Sequence, residues 1–493
     1  MSYIKEEMFS KARKKTMKVL LIEPNICTYA LLPPIALTVL KGFITKKTTH
    51  QARILDLAFH KNDWQEYILG EIRREQPDLI GFSVLSFNVH EAIIIARFIK
   101  EHSSVKIILG GVQVILSPQK VIRYHEVDII CTGEGEKTLK ELLDNQLNCS
   151  DVEGIWYKKK GKIVKNKPRR LTSDLDTLAF PDFDDFDMAK YFFINNNHLP
   201  IMASRGCPYS CSYCSNHALK KVLKGRYVRF RSVENVLEEI DLRMKQYYGM
   251  RMKYLYFFDD TFILDKEFVL SFCERIKEKG YHTLIRWNVN VRANLVDDDL
   301  LKTMKDAGCY QVRMGVETGN ESIRNKVYNR NMTNQQISDA FESIHRNKLQ
   351  LRLYFMVGAP DETIEMMNES LTMAQRSHAD DIFFALLYPL PGTEIRHYCE
   401  QEQIITTSYS ESIGPVHHTK YVTHPQLHRF MRKVQRWQIR MYIIEGIKLR
   451  GLRFLLDCLW FVFYDKPKYD FEMNQLFRWN VQRYKLEQIT EEK

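Results

Sequence analysis

Residues 205–214 read RGCPYSCSYC, a loop in which Cys207, Cys211 and Cys214 are spaced Cys-x-x-x-Cys-x-x-Cys and Tyr213 precedes the last of them. Structural zinc closes with four ligands, and a Cys-x-x-Cys pair ordinarily recurs. No second pair occurs in this chain, and His217 is the only nearby candidate for a fourth ligand. A cubane iron–sulfur cluster takes one thiolate per iron, so three thiolates leave one iron with an open position. Three unligated thiols on a Gly-Pro loop would instead be prone to oxidation. The spacing therefore predicts a three-thiolate cluster whose open position takes a substrate or cosubstrate.

Around this loop the chain alternates strand and helix. Downstream of residue 195, the runs HLPIMASR, KYLYFFDD, TLIRWNVNVR, YQVRMGVET, LQLRLYFMVG and DIFFALLYPL read as strands, with amphipathic helices between them. Repeated βα units predict a parallel sheet, either open or curled into a partial (β/α)6 barrel over residues 195–400. The cysteine loop follows the first of these strands, at the face where such folds place their chemistry. Polar groups end the later strands: Asp259 and Asp260 the second, Arg292 the third, Gly315 and Glu317 the fourth, Gly358 the fifth. Asp259 has an alternative use as a helix N-cap, and Arg292 as a structural ion-pair partner of these acids.

The pattern Cys207-x-x-x-Cys211-x-Tyr213-Cys214 resembles the signature of the radical S-adenosylmethionine (radical SAM) superfamily. That resemblance implies a 4Fe-4S cluster on the three cysteines, with SAM chelated at the open iron. One-electron reduction by an external reductant then cleaves SAM to methionine and a 5′-deoxyadenosyl radical. By the same resemblance Tyr213, Asp259, Asp260, Arg292, Gly315, Glu317 and Gly358 are expected to bind the cosubstrate. Carboxylates and an arginine complement its ammonium, carboxylate and ribose groups. Related sequences commonly show Gly-x-Pro-Gly-Glu-Thr where this chain reads GAPDET, with Asp361 in place of a glycine.

The first 150 residues alternate as well. MKVLLIEP, ARILDLAF, DLIGFSVLS, VKIILGG and VDIICTGEGE are continuous apolar runs, as strands covered on both faces read, and they predict a doubly wound parallel sheet. Ligands of such sheets lie beyond the strands' carboxyl ends, which here carry Ser83, Ser86, Gly110, Gly111, Gly133 and Glu134. The order of the two domains is similar to the cobalamin-binding radical SAM enzymes, and the phrases PPIALTVL, ILGGVQ and TGEGE match that subgroup. The resemblance implies cobalamin held by those small and backbone groups. No Asp-x-His-x-x-Gly occurs, so no histidine is expected beneath the cobalt; a first domain that only scaffolds the barrel is the competing view. C-methylation is the expected reaction, with a cobalamin-dependent oxidative cyclisation or other radical rearrangement as the alternative and a non-enzymatic metal- or nucleic-acid-binding module as the remote one.

Residues 151–194 read as a hairpin turning at Lys160-Gly161 followed by a Pro- and Asp-marked connector. Residues 401–493 read as helical, basic and aromatic; such a tail either caps the barrel or lies on an anionic membrane surface. His417, His418 and His424 cluster there in sequence. A net charge of +11 is concentrated in the first residues, the 158–170 region and the tail, so nucleic acid is not the expected partner. The expected partners are a small-molecule or lipid-like substrate and the reductant. No apolar run spans a membrane, no secretory signal is read, and one tight group among ten cysteines suits a reducing cytoplasm.

Overall fold

The computed structural model describes residues 15–26, 32–405, 416, 418–451, 453–460, 481–482 and 485. His417 and most of the chain beyond 460 lie outside the described residues.

The first sheet is built of β1 (Lys18–Glu23), β2 (Gln51–Asp56), β3 (Leu79–Ser83), β4 (Lys106–Gly110), β5 (Ile129–Cys131), β6 (Ile155–Lys159) and β7 (Lys162–Lys165). Their order is β2-β1-β3-β4-β5-β6-β7, with the first five parallel and the last two antiparallel. Alternation along β1 shows why the apolar runs are continuous. Val19 and Leu21 pack with Leu37, Ile44, Leu139 and Leu142 on one face, and Leu20 and Ile22 pack with Ile68, Ile93 and Ile99 on the other. Chain order reverses between β1 and β3, the switch point at which doubly wound sheets bind ligands. The hairpin turns at Lys160 (φ 49°) and Gly161 (φ 77°) and completes the edge of this sheet. The connector beyond it returns to the helix Ile35–Lys47, where buried Lys41 holds Asp182 at 2.9 Å and Asp185 at 2.7 Å.

The second sheet contains β8 (His198–Ile201), β11 (Tyr254–Phe257), β12 (Arg286–Val291), β13 (Cys309–Glu317), β14 (Gln350–Val357) and β15 (Asp381–Leu386). All neighbours are parallel, in the order β15-β14-β13-β12-β11-β8. β8 and β15 do not pair, so the expected barrel is an open one. Between β8 and β11 two short strands, β9 (Ser204–Arg205) and β10 (Arg229–Phe230), pair antiparallel and close the cysteine loop at its base.

The helix His424–Arg450 starts with a Thr423–Gln426 capping box and packs along β15. Tyr442 donates to Asp381 at 2.6 Å and Gln438 to the Ile382 carbonyl at 2.8 Å, which covers an otherwise open edge. No helix among the described residues is long and apolar enough to cross a membrane.

Candidate functional site

The cysteine loop leaves β9 through Gly206, whose φ of 88° and close approach to the Tyr227 carbonyl exclude a side chain. Cys207 and Cys214 are half-buried and Cys211 is buried. Among the described residues no three metal-binding side chains converge tightly enough for a single ion. Thiolates that each take a different iron of one cluster need no such convergence, so the loop suits a cluster better than zinc. Burial, then Asp260 and the other two thiols, pushes the Cys214 thiol up to about 11. A cationic cluster reverses that cost, since coordinated thiols deprotonate. Arg292 faces the loop: its Nη1 lies 3.7 Å from the Cys211 sulfur, and its guanidinium stacks 3.9 Å over Tyr209. It makes no ion pair with a carboxylate among the described residues, so the alternative of a structural ion pair falls away.

Tyr213 points under the loop into a buried trio. Its hydroxyl donates to Glu317 Oε1 at 3.1 Å and accepts from Arg330 Nη1 at 2.5 Å, while Arg330 also holds Glu317 at 3.1 Å and the Gly315 carbonyl at 2.6 Å. Glu317 adopts φ 70° at an irregularity of β13, an uncommon conformation for a non-glycine residue. A Cβ on Gly315 would lie 2.2 Å from the Glu317 carboxylate, which explains the glycine. Gly358 ends β14 at φ 95°, and its N–H and that of Ala359 donate to Glu362 at 2.6 and 3.2 Å. Burial pushes that carboxyl up to about 7. Asp361, the departure from the related sequences, accepts from Tyr398 at 2.6 Å and pairs with Lys420 at 2.9 Å, so it ties the turn to the segment before the last long helix.

The two aspartates of FFDDTF diverge. Asp259 is buried and turns inward, accepting from the Ala203 N–H at 3.1 Å and the Ser204 hydroxyl at 2.5 Å. It is neither a helix cap nor directed at the loop's open side; it positions the strand that leads into the cysteines. Asp260 accepts from Asn216 at 2.8 Å and lines a cavity between the two sheets.

That cavity holds about 430 Å³, within the range of small-molecule sites. One wall is the first sheet and its helices, with Leu21, Leu40, Ser83, Gly110, Gly133 and Leu139. The other is the run into the cluster loop, Met202, Ser204, Arg205 and Gly206, together with Phe258 and Asp260. A Cβ on Gly133 would meet nothing within 4 Å, and one on Gly110 would make only ordinary contacts with Cys131 at 3.7 Å and the Phe82 carbonyl at 4.0 Å, so both glycines hold space open. Gly111 (φ 100°) instead sits tight against Val84 and shapes the turn. No histidine is among the lining residues. The apolar slot between sheet and helices, entered beside glycines and free of histidine, fits a cobalamin held without a lower histidine ligand. Ser86 is not at the cavity: it donates to Gln113 at 2.7 Å.

Glu134 serves a further purpose. It accepts from Arg205 at 3.0 Å, from Arg229 at 2.9 Å and from the Thr172 N–H at 2.8 Å, while Arg205 also reaches Glu136 at 2.6 Å. Burial opposes the charge, but the two arginines hold the Glu134 carboxyl below its usual range. This clasp fixes the first domain to the residue two positions before Cys207. Arg205, Arg229 and Arg330 were not singled out from sequence, because no spacing announces an arginine whose partner is distant in the chain.

Residues 201–374 match the radical SAM superfamily and residues 25–143 the B12 binding domain. The chain is 29% identical over 436 residues to an uncharacterized methyltransferase of Pyrococcus horikoshii, covering 85% of this chain and 92% of the relative. It is 24% identical to the cytidylyl-2-hydroxyethylphosphonate methyltransferase of Streptomyces wedmorensis, covering 67% and 68%. Among solved structures, the cobalamin-dependent radical SAM enzyme OxsB superposes with a TM-score of 0.72 at 19% identity over 90% of this chain and 71% of that one. The radical SAM methyltransferase TsrM of Kitasatospora setae, with cobalamin and a [4Fe-4S] cluster bound, gives 0.66 at 19% over 79% and 78%. Radical SAM enzymes in general act on small molecules and draw on an external reductant. The two family matches fall on the two walls of one cavity, and the chain belongs to the radical SAM enzymes that carry a B12-binding domain, whose cofactors are a 4Fe-4S cluster, S-adenosylmethionine and cobalamin.

Proposed function

We propose that this chain is a cobalamin-dependent C-methyltransferase of a small organic molecule. The observation that carries the reading is the shared wall: the residues that lead into Cys207 line the same cavity as Gly110 and Gly133 of the first domain. When bound, SAM at the cluster supplies a hydrogen-abstracting radical and cobalamin carries a methyl group. The protein's part is placement. Cys207, Cys211 and Cys214 hold the cluster, and Arg292 sets the electrostatics at Cys211. Glu317, fixed by Tyr213 and Arg330, and Asp260 offer carboxylates to the ammonium and ribose of SAM, while Gly315 makes room for the Glu317 carboxylate and Gly358 for Val416. Gly110, Gly111, Gly133 and Ser83 cradle the corrin and its tail. Glu134 and Asp259 act at one remove, the first locking the domains and the second seating the cysteine loop.

Methyltransferases are prominent among the named relatives, although anaerobic magnesium-protoporphyrin monomethyl ester cyclases also occur, so methyl transfer is favoured over cyclisation. The test uses SAM labelled in its methyl group with reconstituted protein and cobalamin. Label recovered with the cobalamin, together with release of 5′-deoxyadenosine that is lost when all three cysteines are changed to alanine, is the expected result. SAM cleavage in the triple variant would overturn the site. Peripheral membrane contact belongs to the same proposal: Ile444 (56% exposed) and Leu456 (64%) stand among the tail's arginines and lysines. Co-sedimentation with anionic but not neutral vesicles checks it.

A further inference from the structure

One level of the open barrel, followed across its strands, reads Asn290, Arg313, Arg352 and Asp381, each in register with the next. Two cations therefore share one anion. Arg352 takes it, at 3.0 Å, and the same Asp381 accepts from Tyr442 at 2.6 Å. Arg313 is left as the surplus charge. It is 9% exposed, its guanidinium stacks 3.7 Å over the Tyr256 ring, and its Nε donates to Gln311 at 3.2 Å. No carboxylate among the described residues lies within ion-pair distance of it. The neighbouring histidine, His198, adds no further positive charge: burial, then the positive charge of Arg313, pushes it down to about 3, so it stays neutral. A ring face compensates a cation only in part. A guanidinium buried without an anion is costly, and such groups are ordinarily paired.

The surroundings describe the missing partner's body. Tyr256 and Phe258 lie with ring centroids 4.3 Å apart, tilted at 46°, on one wall, and Tyr354 and Phe383 meet edge-on at 6.2 Å on the other. Phe258 is 39% exposed and Phe383 41%, unusual for large apolar side chains on a sheet's inner face. Phe258 also lines the cavity between the domains, so its ring stands both beside Tyr256 and at the cobalamin slot. On the same face of β13, Gly315 lies two residues beyond Arg313, and the strand then breaks register at Glu317.

We propose that the barrel binds an organic anion, its carboxylate or phosphate on Arg313 and its apolar or aromatic body between Phe258 and Phe383, with the far end presented toward the cluster and the cobalamin slot. This names the substrate class of the site proposed above and rests on that reading for where the chemistry happens. Arg313 is a specificity-determining residue here: it anchors the charge and sets how far the reacting carbon reaches.

The test measures thermal unfolding of the full-length, anaerobically reconstituted protein against phenyl phosphate, phenylacetate and benzyl alcohol. At least one of the two anions is expected to raise the midpoint saturably and beyond the effect of the uncharged alcohol; which one does so distinguishes phosphate from carboxylate. In Arg313→Met the same anion binds at least about tenfold more weakly, at unchanged iron and cobalt content, and Arg313→Lys falls between. Without any anion Arg313→Met unfolds no lower than the wild type, because it removes an uncompensated buried charge. Equal responses to anion and alcohol in the wild type, or an undiminished anion response in Arg313→Met, would overturn the proposal. If the methionine variant fails to load iron, the wild-type comparison and the lysine variant still decide. An Arg313-dependent response in a protein that does not cleave SAM would leave the anion site standing and remove the methylation reading; SAM cleavage without any anion response would do the reverse.

Discussion

Replacing Glu134 by glutamine keeps the side chain's shape and removes its charge, which leaves Arg205 and Arg229 facing an uncharged amide. Arg229 is 4% exposed and would retain only the Thr172 and Tyr227 carbonyls, at 2.7 and 3.3 Å. Removing one partner of a buried ion pair costs about 3–5 kcal/mol. Because Glu134 is 15% and Arg205 20% exposed, the lower end applies, about 3 kcal/mol. That is a large share of a stability of about 5–15 kcal/mol. The assay is a double-mutant cycle of Glu134→Gln with Arg229→Met, read by denaturant unfolding with cobalamin retention measured in parallel. A coupling of about 1–3 kcal/mol is expected, and the single Glu134→Gln variant should shed cobalamin while keeping its iron. The pH dependence has a defined sign. A carboxyl held below its usual value stabilises the fold above the unfolded pKa, about 4.3, and that contribution is lost as pH falls through the lower folded value. A coupling under about 0.5 kcal/mol, within the additivity expected of independent sites, would refute the clasp.

Gly133→Leu meets no neighbour where its side chain begins, so the protein should fold and load iron normally while losing most of its cobalt; normal cobalt content would show that the slot is not the cobalamin site. Gly315→Ala pushes against the Glu317 carboxylate and should slow SAM cleavage at least about tenfold, with Tyr213→Phe, which loses two hydrogen bonds of the same trio, costing about 1–3 kcal/mol of stability. Because His198 is neutral when folded down to about pH 3 but protonates near 6.5 when unfolded, stability is complete above 6.5. It should then fall with acid by about 1.4 kcal/mol per pH unit toward 3, a slope that His198→Gln flattens.

The cysteine spacing announced the cluster because ligands within eight residues carry their geometry in the sequence, and unbroken apolar runs such as MKVLLIEP announced strands buried on both faces. Direction was harder to read. Asp259 and Asp260 are adjacent at one strand end, yet the pleat sends one into the base of the loop and the other into the cavity. Ser86 follows the same strand as Ser83, but the turn takes it to Gln113. Glu134 lines the cavity beyond its strand end, while its three hydrogen bonds, to two distant arginines and a backbone N–H, depend on how the domains meet. Arg313 looks in sequence like any charged residue of a strand, and only the register of four strands exposes the two-to-one count of charges.

Iron and cobalt per chain, on protein reconstituted without oxygen in the presence of hydroxocobalamin, test the central claim that one cavity serves a cluster on one wall and cobalamin on the other. About four irons and about one cobalt are expected in the wild type, cobalt without iron in the triple cysteine variant, and iron without cobalt in Gly133→Leu. Cobalt retained at full occupancy in Gly133→Leu, or iron retained after loss of Cys207, Cys211 and Cys214, would contradict it.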